Sequence, residues 1–313
     1  MSIADAIKQE ARSLGFDAVG IAAVAPGPEL TTLLARLQTW LNRGYHGTMA
    51  WMARDPSRRA DPRSVMPGCR SIISLGVNYD SGHRVVEGPG YGRIARYAWG
   101  KDYHHVIGAR LKSLEAKILE LAPDTTTRSY VDTGPVMEKA WAQRAGVGWI
   151  GKHSNLVSPE YGSWLLLGEV LTTLVLPPDE PAMDLCGTCT LCIQACPTNA
   201  IVQPYVVDAN RCISYLTIEY RGPREEIPGD LSSRMGAHIF GCDDCLDICP
   251  FNLRAEPTKE PAFLPSPATA SPCLDELTSL DEAGFAERFD ESPVKRTKLH
   301  GLQRNVAIAK ANQ

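Results

Sequence analysis

The chain has 313 residues, 44% of them hydrophobic and 22% charged, with a formal net charge of −4. These are ordinary globular values for a length that suggests about two domains. The slight acidity excludes a surface that is basic all over, so any nucleic-acid contact has to come from a local patch. No apolar run is long enough to span a bilayer, and the opening M-S-I-A-D-A-I-K-Q-E reads as a polar helix start, not a secretion signal.

In chain order, Ser2 can cap a helix to about Leu14, with Gly15 as its stop. Asp17 to Val24 reads as a strand. Glu29 to Asn42 reads as an amphipathic helix with Leu30, Leu33, Leu34, Leu37 and Leu41 facing inward. Arg54 to Arg63, with four arginines and two prolines, reads as a loop, and Ser71 to Val77 as a short buried strand. Residues 80–92 are glycine-rich and expected to be mobile. Asp102 to Leu121 has the longest helical pattern, with Val106, Leu111, Leu114, Ile118 and Leu121 near one side. Arg128 to Asp132 reads as a strand ending in D-T-G-P, followed by a helix from about Pro135 to Gly146. The stretch G-V-G-W-I-G-K-H-S-N-L, Gly146 to Leu156, lets backbone approach a ligand that Lys152, His153, Ser154 and Asn155 can touch; alternatively it is a surface loop. Trp164 to Leu176 is apolar and reads as strand. A proline-rich connector at 256–272 precedes helical patterns at Leu274 to Phe289 and Leu299 to Ala311.

The sharpest signal is C-G-T-C-T-L-C-I-Q-A-C-P, Cys186 to Pro197. Its spacing, C-x2-C-x2-C-x3-C-P, is the bacterial ferredoxin run, in which three cysteines wrap one [4Fe–4S] cluster and the fourth reaches a second. Cys242, Cys245, Cys249 and Pro250 repeat the last part of the run, with Ile239 where its first cysteine would fall. The assignment is then Cys186, Cys189, Cys192 and Cys249 for one cluster. Cys242, Cys245, Cys196 and, by elimination, Cys212 take the other. Paired zinc sites are the competing reading, but zinc ribbons lack the third cysteine and the x3-C-P ending. Thiolate-held clusters need a reducing compartment, so the chain is expected to be cytoplasmic, and a disulfide framework is not expected in a chain of this length without a signal peptide. Cys69 and Cys273 are left over and read as buried thiols.

Two clusters beside some 180 further residues mean an electron wire feeding something, since a ferredoxin needs only the cluster part. No dinucleotide fingerprint, P-loop or H-E-x-x-H occurs; G-P-G-Y-G at Gly88 to Gly92 lacks the required strand–turn–helix context. Residues alone therefore give an iron–sulfur oxidoreductase with an unidentified cofactor in its N-terminal part.

Val131 to Leu156 (V-D-T-G-P-V-M-E-K-A-W-A-Q-R-A-G-V-G-W-I-G-K-H-S-N-L), Arg96 to His104 (R-Y-A-W-G-K-D-Y-H) and both cysteine runs resemble the epoxyqueuosine reductases, from near residue 1 to the last residues. The resemblance implies an α+β fold. A nitroreductase-like cobalamin-binding domain spans 1–178, a ferredoxin-like domain with two [4Fe–4S] clusters spans 179–255, and a connector with C-terminal helices spans 256–313. It also implies reduction of epoxyqueuosine to queuosine in tRNA, on cobalamin fed by the clusters. Matched residue by residue, Asp132 is the proton donor beside cobalt. Arg58, Ala95, His153, Leu156 and Ser214 are cobalamin contacts, and Arg221 is a tRNA contact. Asp132 could instead cap the following helix, and Arg221 could be a solvated charge. D-Y-H-H-V-I-G, Asp102 to Gly108, nearly matches the D-x-H-x-x-G signature of histidine-ligated cobalamin, but its glycine is one residue late and the segment reads as helical.

The expected partners are tRNA, an external flavodoxin or ferredoxin as electron donor, and no membrane, with the chain a monomer. Basic candidates for tRNA are Arg54, Arg58, Arg59 and Arg63, and Lys295, Arg296, Lys298 and Arg304. Tyr97, Trp99 and Tyr220 are candidates for stacking on bases of the anticodon loop. Two other readings stay open: a cytoplasmic reductive dehalogenase-like corrinoid enzyme acting on a small molecule, and an electron carrier with no substrate of its own.

Overall fold

The structure is a computed structural model that describes residues 2–83 and 88–313. The glycine-rich stretch expected to be mobile therefore falls in part, at 84–87, outside the described residues. The centre is a four-stranded antiparallel sheet of β1 (Ala18–Ala23), β2 (Ser71–Asn78), β3 (Thr127–Tyr130) and β4 (Leu165–Thr172), in spatial order β1-β2-β4-β3. All four strands fall where the sequence pattern puts them. β2 is buried at every position because both faces of the sheet are covered.

One face carries α1 (Ile3–Ser13) and α5 (Tyr103–Leu121); in the sequence between them come α2 (Pro28–Asn42), α3 (Pro56–Ala60) and α4 (Pro62–Val65), of which Leu30 and Val65 join the core on the other face. Ser2 caps α1 in a capping box with Asp5. Asp102 caps α5 by accepting from the His104 amide at 3.0 Å. The buried stripe of α5 runs through Ile107, Leu111, Leu114 and Ile118, with Val106 and Leu121 partly buried against the same core. The other face carries α6 (Glu138–Arg144), with Trp141 and Ala142 buried against the sheet. That packing needs Gly20, where a β-carbon would come within 1.9 Å of the Ala145 carbonyl oxygen.

Three local expectations change. Arg54 to Arg63 is not a plain loop: Asp55 and Asp61 cap α3 and α4, each with proline at the first turn. The helix after Asp132 starts at Glu138, three residues later than expected, with Met137 at its cap. The pattern at 274–289 splits into Leu274–Thr278 and Glu282–Phe289, separated where Asp281 caps the second helix.

A second core joins residues 94–99 and 218–240 to the C-terminal helices. Strand His238–Phe240 pairs in parallel with Arg93–Ile94. Phe285, Phe289, Leu299 and Leu302 of the C-terminal helices pack there with Trp99, Ile239 and Phe240. In helix Lys298–Ala311, Arg304 is 6% exposed. Its guanidinium donates to the carbonyls of Leu216 (2.7 Å), Tyr220 (2.8 Å) and Gly222 (2.9 Å). The expectation that Arg304 belongs to a tRNA-facing surface is thus corrected: it is a buried cross-brace. Of the leftover cysteines, Cys69 is buried, its thiol pushed up to about 11 mainly by burial, whereas Cys273 is only partly buried at the cap of its helix.

Candidate active site: the Asp132 cavity and two groups of cysteines

Asp132 follows β3 in a left-handed conformation, φ 57°, which a side-chain-bearing residue adopts at a cost. Two residues on, Gly134 lies so close to the Tyr130 ring that a β-carbon would sit 2.5 Å from it. The turn is therefore tight, and it presents the Asp132 carboxylate instead of burying it. Six residues before α6, Asp132 does not occupy the cap position, which removes the capping role. The Tyr103 hydroxyl donates to Asp132 Oδ2 at 3.0 Å, and His104 Nε2 stands 3.8 Å from the same oxygen. His104 Nδ1 is 2.7 Å from Asp102 Oδ1, so a short polar array backs the carboxylate. Burial first, then the Asp132 charge, pushes the Tyr103 phenol far above its ordinary range.

Asp132 borders a cavity of about 1240 Å³, larger than the roughly 300–1,000 Å³ of a site for a drug-sized ligand. One wall is α2, which supplies Leu33, Leu37 and Trp40. Of the five leucines expected to face the core from this helix, only Leu30 and Leu37 are buried. The rest of the apolar stripe meets the cavity or solvent. The opposite wall is Val136, Met137 and Glu138 at the start of α6, and the far end is the hairpin of Ile201–Gln203 and Val206–Val207. Trp40 ties the walls together by donating its indole N–H to the Val207 carbonyl at 2.7 Å. Ser154, in the glycine-rich loop, lines the cavity with a buried hydroxyl that has no partner in the protein. An apolar wall with a few unsatisfied or cationic groups suits a large amphipathic cofactor rich in amide groups.

The same loop reaches the cysteines. Trp149 Nε1 donates to Cys186 Sγ at 3.4 Å. Lys152, nearly buried, donates to the carbonyls of Gly187 (2.6 Å) and Cys189 (2.8 Å). Asp184, another lining residue, accepts from the Cys186 amide at 2.8 Å. The thiols fall into two neighbourhoods. Cys192 feels the charges of Cys186, Cys189 and Cys249, while Cys245 feels Cys212 and Cys196 ahead of Cys192, and Cys242 feels Cys245 and Cys212. Burial raises the thiols of Cys192, Cys212, Cys242 and Cys245, so each needs a metal partner to hold it as thiolate. Among the described residues, one group of three or more metal-type donors lies within 4.8 Å, His238, Cys242 and Asp244. A tetrahedral zinc site would draw its sulfurs to about 3.8 Å of one another. Among the described residues no three cysteine sulfurs lie within 4.8 Å of one another, a wider spacing than a tetrahedral zinc site requires.

The family described as "Epoxyqueuosine reductase QueG, DUF1730" matches residues 59–133, and the one described as "4Fe-4S double cluster binding domain" matches residues 185–252. The chain is 45% identical over 288 residues to the epoxyqueuosine reductase of Synechocystis sp., covering 92% of this chain and 98% of the relative. The chain belongs to the epoxyqueuosine reductase family. The epoxyqueuosine reductase of Gloeobacter violaceus is 46% identical over 308 residues, with 97% and 94% of the two chains covered. A crystal structure of an epoxyqueuosine reductase with an epoxyqueuosine-modified stem loop of a tyrosine tRNA superposes with TM-score 0.91 at 32% identity. The match covers 99% of this chain and 81% of that one. The Bacillus subtilis epoxyqueuosine reductase, with its catalytic aspartate loop swung out of the active site, gives TM-score 0.90 at 31% identity over 99% of this chain and 81% of that one. The fold is thus the mixed helix–sheet fold of epoxyqueuosine reductases with a double-cluster region.

Of the residues expected at the cofactor of an epoxyqueuosine reductase, Asp132 borders the large cavity. His153 is 4% exposed; its Nδ1 accepts from the Asn155 amide, and burial pushes it down to about 4. Leu156 is buried in one apolar cluster with Leu171 and the lining residue Val136. Arg58 is exposed on α3, and its neighbour Arg59 lines the cavity, its guanidinium 5.0 Å from the Trp51 ring. Ala95 lines a separate cavity of about 540 Å³ with Arg96 and Asp243. Ser214 is partly buried on helix Ile213–Ile218, just after Cys212. Arg221 is exposed and donates to the carbonyls of Thr297 (2.9 Å) and Arg296 (2.7 Å). Trp99 is 5% exposed, its indole donating to the Ile94 carbonyl at 2.7 Å, so it does not stack on bases. Sequence reasoning missed Glu138 and Tyr103, both beside Asp132; the acidic residue six positions after a strand-ending aspartate was the available signal for Glu138. Among the described residues, no helix is long and apolar enough to cross a membrane.

Proposed function

We infer that this oxidoreductase reduces epoxyqueuosine to queuosine in tRNA within the cavity bordered by Asp132. One observation carries the reading: a single cavity is bounded by a strained, presented carboxylate and by the segment that begins the first cysteine run. The reaction takes up two electrons and two protons; the epoxide oxygen leaves as water and a carbon–carbon double bond remains. Cobalamin, when bound, supplies a low-valent cobalt that can deliver electrons to the epoxide, and two [4Fe–4S] clusters supply low-potential electrons one at a time.

The protein's own part is binding, orientation and proton supply. Leu33, Leu37 and Trp40 offer the corrinoid an apolar wall, and Ser154 and Arg59 offer polar contacts at its edge. Asp132 gives a proton to the departing oxygen, which is a poor leaving group as an alkoxide. Tyr103 and His104 fix the direction of that carboxyl. Cys186, Cys189, Cys192 and Cys249 hold the cluster nearer the cavity, and Cys196, Cys212, Cys242 and Cys245 hold the other. The layout retains a nitroreductase-like cobalamin unit at 1–178, the cluster unit at 179–255 and the connector with helices at 256–313. The chain acts as a cytoplasmic monomer, with Arg221 on the tRNA side and a flavodoxin or ferredoxin as electron donor. A dehalogenase reading is not favoured, because the relatives over nearly the full chain are epoxyqueuosine reductases. Nucleoside mass spectrometry of tRNA from a strain lacking this chain should show epoxyqueuosine in place of queuosine. Unchanged queuosine content would contradict the function.

A further inference from the structure

The reduction consumes two protons, and Asp132 holds one at a time. Once it has protonated the epoxide oxygen it is a carboxylate, and the oxygen still needs a second proton to leave as water. A second acid in the same cavity is therefore a chemical requirement of the reaction, and solvent can meet it only if water stays in the cavity beside a bound cofactor and substrate.

Glu138 opens α6 and lines the cavity with Asp132. Among the described residues it is in no ion pair. Its neighbour Lys139 is turned away to Asn155 Oδ1 at 2.6 Å and to the Ser154 carbonyl at 3.3 Å. Arg59 lies against Trp51 and donates to the Trp51 carbonyl at 3.4 Å. Behind Glu138, on the sheet face that α6 covers, lies Glu169 of β4, 1% exposed, with neither carboxylate oxygen hydrogen-bonded. Ser74, its partner across the strand pair, also has an unpaired buried hydroxyl, and Trp141 of α6 an unpaired indole N–H. A charge at Glu169 would have no compensation, so it stays neutral; burial, then the charges of Glu138 and Asp132, keep it protonated.

We propose that Glu138 supplies the second proton of the reduction, as the acid that recharges Asp132. This rests on the reaction assigned above. Glu138 breaks its O–H bond, the proton forms an O–H bond on the Asp132 carboxylate, and Asp132 passes it to the departing hydroxide equivalent, which leaves as water. Glu138 is then reprotonated from solvent; no electron moves in these transfers. Burial, followed by the Asp132 charge, lifts Glu138 to about 7 against the opposing pull of Lys139, Arg59 and His104, so it is part protonated at neutral pH.

The test compares wild type, Glu138→Gln, Glu138→Asp and Glu169→Gln, each loaded with corrinoid and clusters, on an epoxyqueuosine-modified tRNA stem loop. Wild-type kcat should fall as pH rises through about 7. Glu138→Gln should lose that limb and about 10²-fold in kcat while keeping iron content and stem-loop affinity. Glu138→Asp should recover most of the loss, and Glu169→Gln, a neutral-for-neutral exchange, should keep the limb. Infrared difference spectra between pH 6 and pH 8 give a readout independent of turnover: wild type should lose a protonated-carboxyl band that Glu138→Gln lacks. Wild-type kcat and pH limb in Glu138→Gln, or the same infrared band in both proteins, would overturn the proposal. Inactive wild type would instead overturn the assigned reaction, and is told apart by the wild-type assay alone.

Discussion

The cysteine region and the Asp132 cavity are built by opposite routes. Seven of the eight cluster cysteines come from two short runs, 186–196 and 242–249, where spacing alone lets backbone wrap a cluster. The cavity takes its walls from α2, the turn at Asp132, the start of α6 and the hairpin near Val207, segments far apart in sequence. A site written in local spacing is legible in the sequence itself. A site assembled by tertiary folding shows there only as scattered residues, which acquire a common purpose once the chain brings them together. The glycine-rich loop joins the two regions, since Ser154 faces the cavity while Trp149 and Lys152 hold the first cysteine run.

The largest effect is expected at the crossed cysteines. Cys249→Ser should remove the cluster shared with Cys186, Cys189 and Cys192, and Cys196→Ser the cluster shared with Cys212, Cys242 and Cys245. Both variants should lose about four irons and nearly all turnover, with different clusters surviving in their EPR spectra. Identical spectra would argue that each run closes its own cluster.

The next effect belongs to the cavity. Asp132→Asn should keep both clusters and bound cobalamin yet lose about 10²–10⁴-fold in turnover, the usual worth of a positioned general acid. Because Asp132 lies outside the α6 cap, no loss of helix stability should accompany this. Near-normal single-turnover rates with full cofactor loading would remove Asp132 from the mechanism.

The smallest effect separates a structural cation from a functional one. Arg304→Met should leave turnover per folded molecule unchanged but lower stability by about 3 kcal/mol, because the carbonyls of Leu216, Tyr220 and Gly222 lose their buried donor. Urea unfolding followed by circular dichroism measures this. Unchanged stability combined with weakened tRNA binding would return Arg304 to the RNA-facing surface.

Much of this fold was legible because its signals are local. The four strands, the capped α1 and the long α5 follow from apolar periodicity and from Ser2 and Asp102 at their caps. What periodicity could not supply is what an apolar face meets. The leucines of α2 read as core, yet Leu33 and Leu37 line the cavity, since a stripe looks the same whether protein or cofactor covers it. Charge has the same ambiguity. Arg304 and Arg296 both read as surface cations; one is buried on backbone carbonyls, and the other is exposed and paired with Glu219 at 2.6 Å. Glu138 was missed because its character comes from Asp132 and from burial, neither of which is visible at its own position.

The proposed function requires the Asp132 cavity to hold a corrinoid fed by the clusters. Titrating cobalamin into the purified, cluster-loaded protein tests it most directly, with the corrinoid absorbance followed before and after a low-potential reductant is added. The account predicts saturable binding at one site per chain and a cobalt reduction that is lost in Cys249→Ser. Absence of binding at any concentration would contradict it and leave the chain an electron carrier.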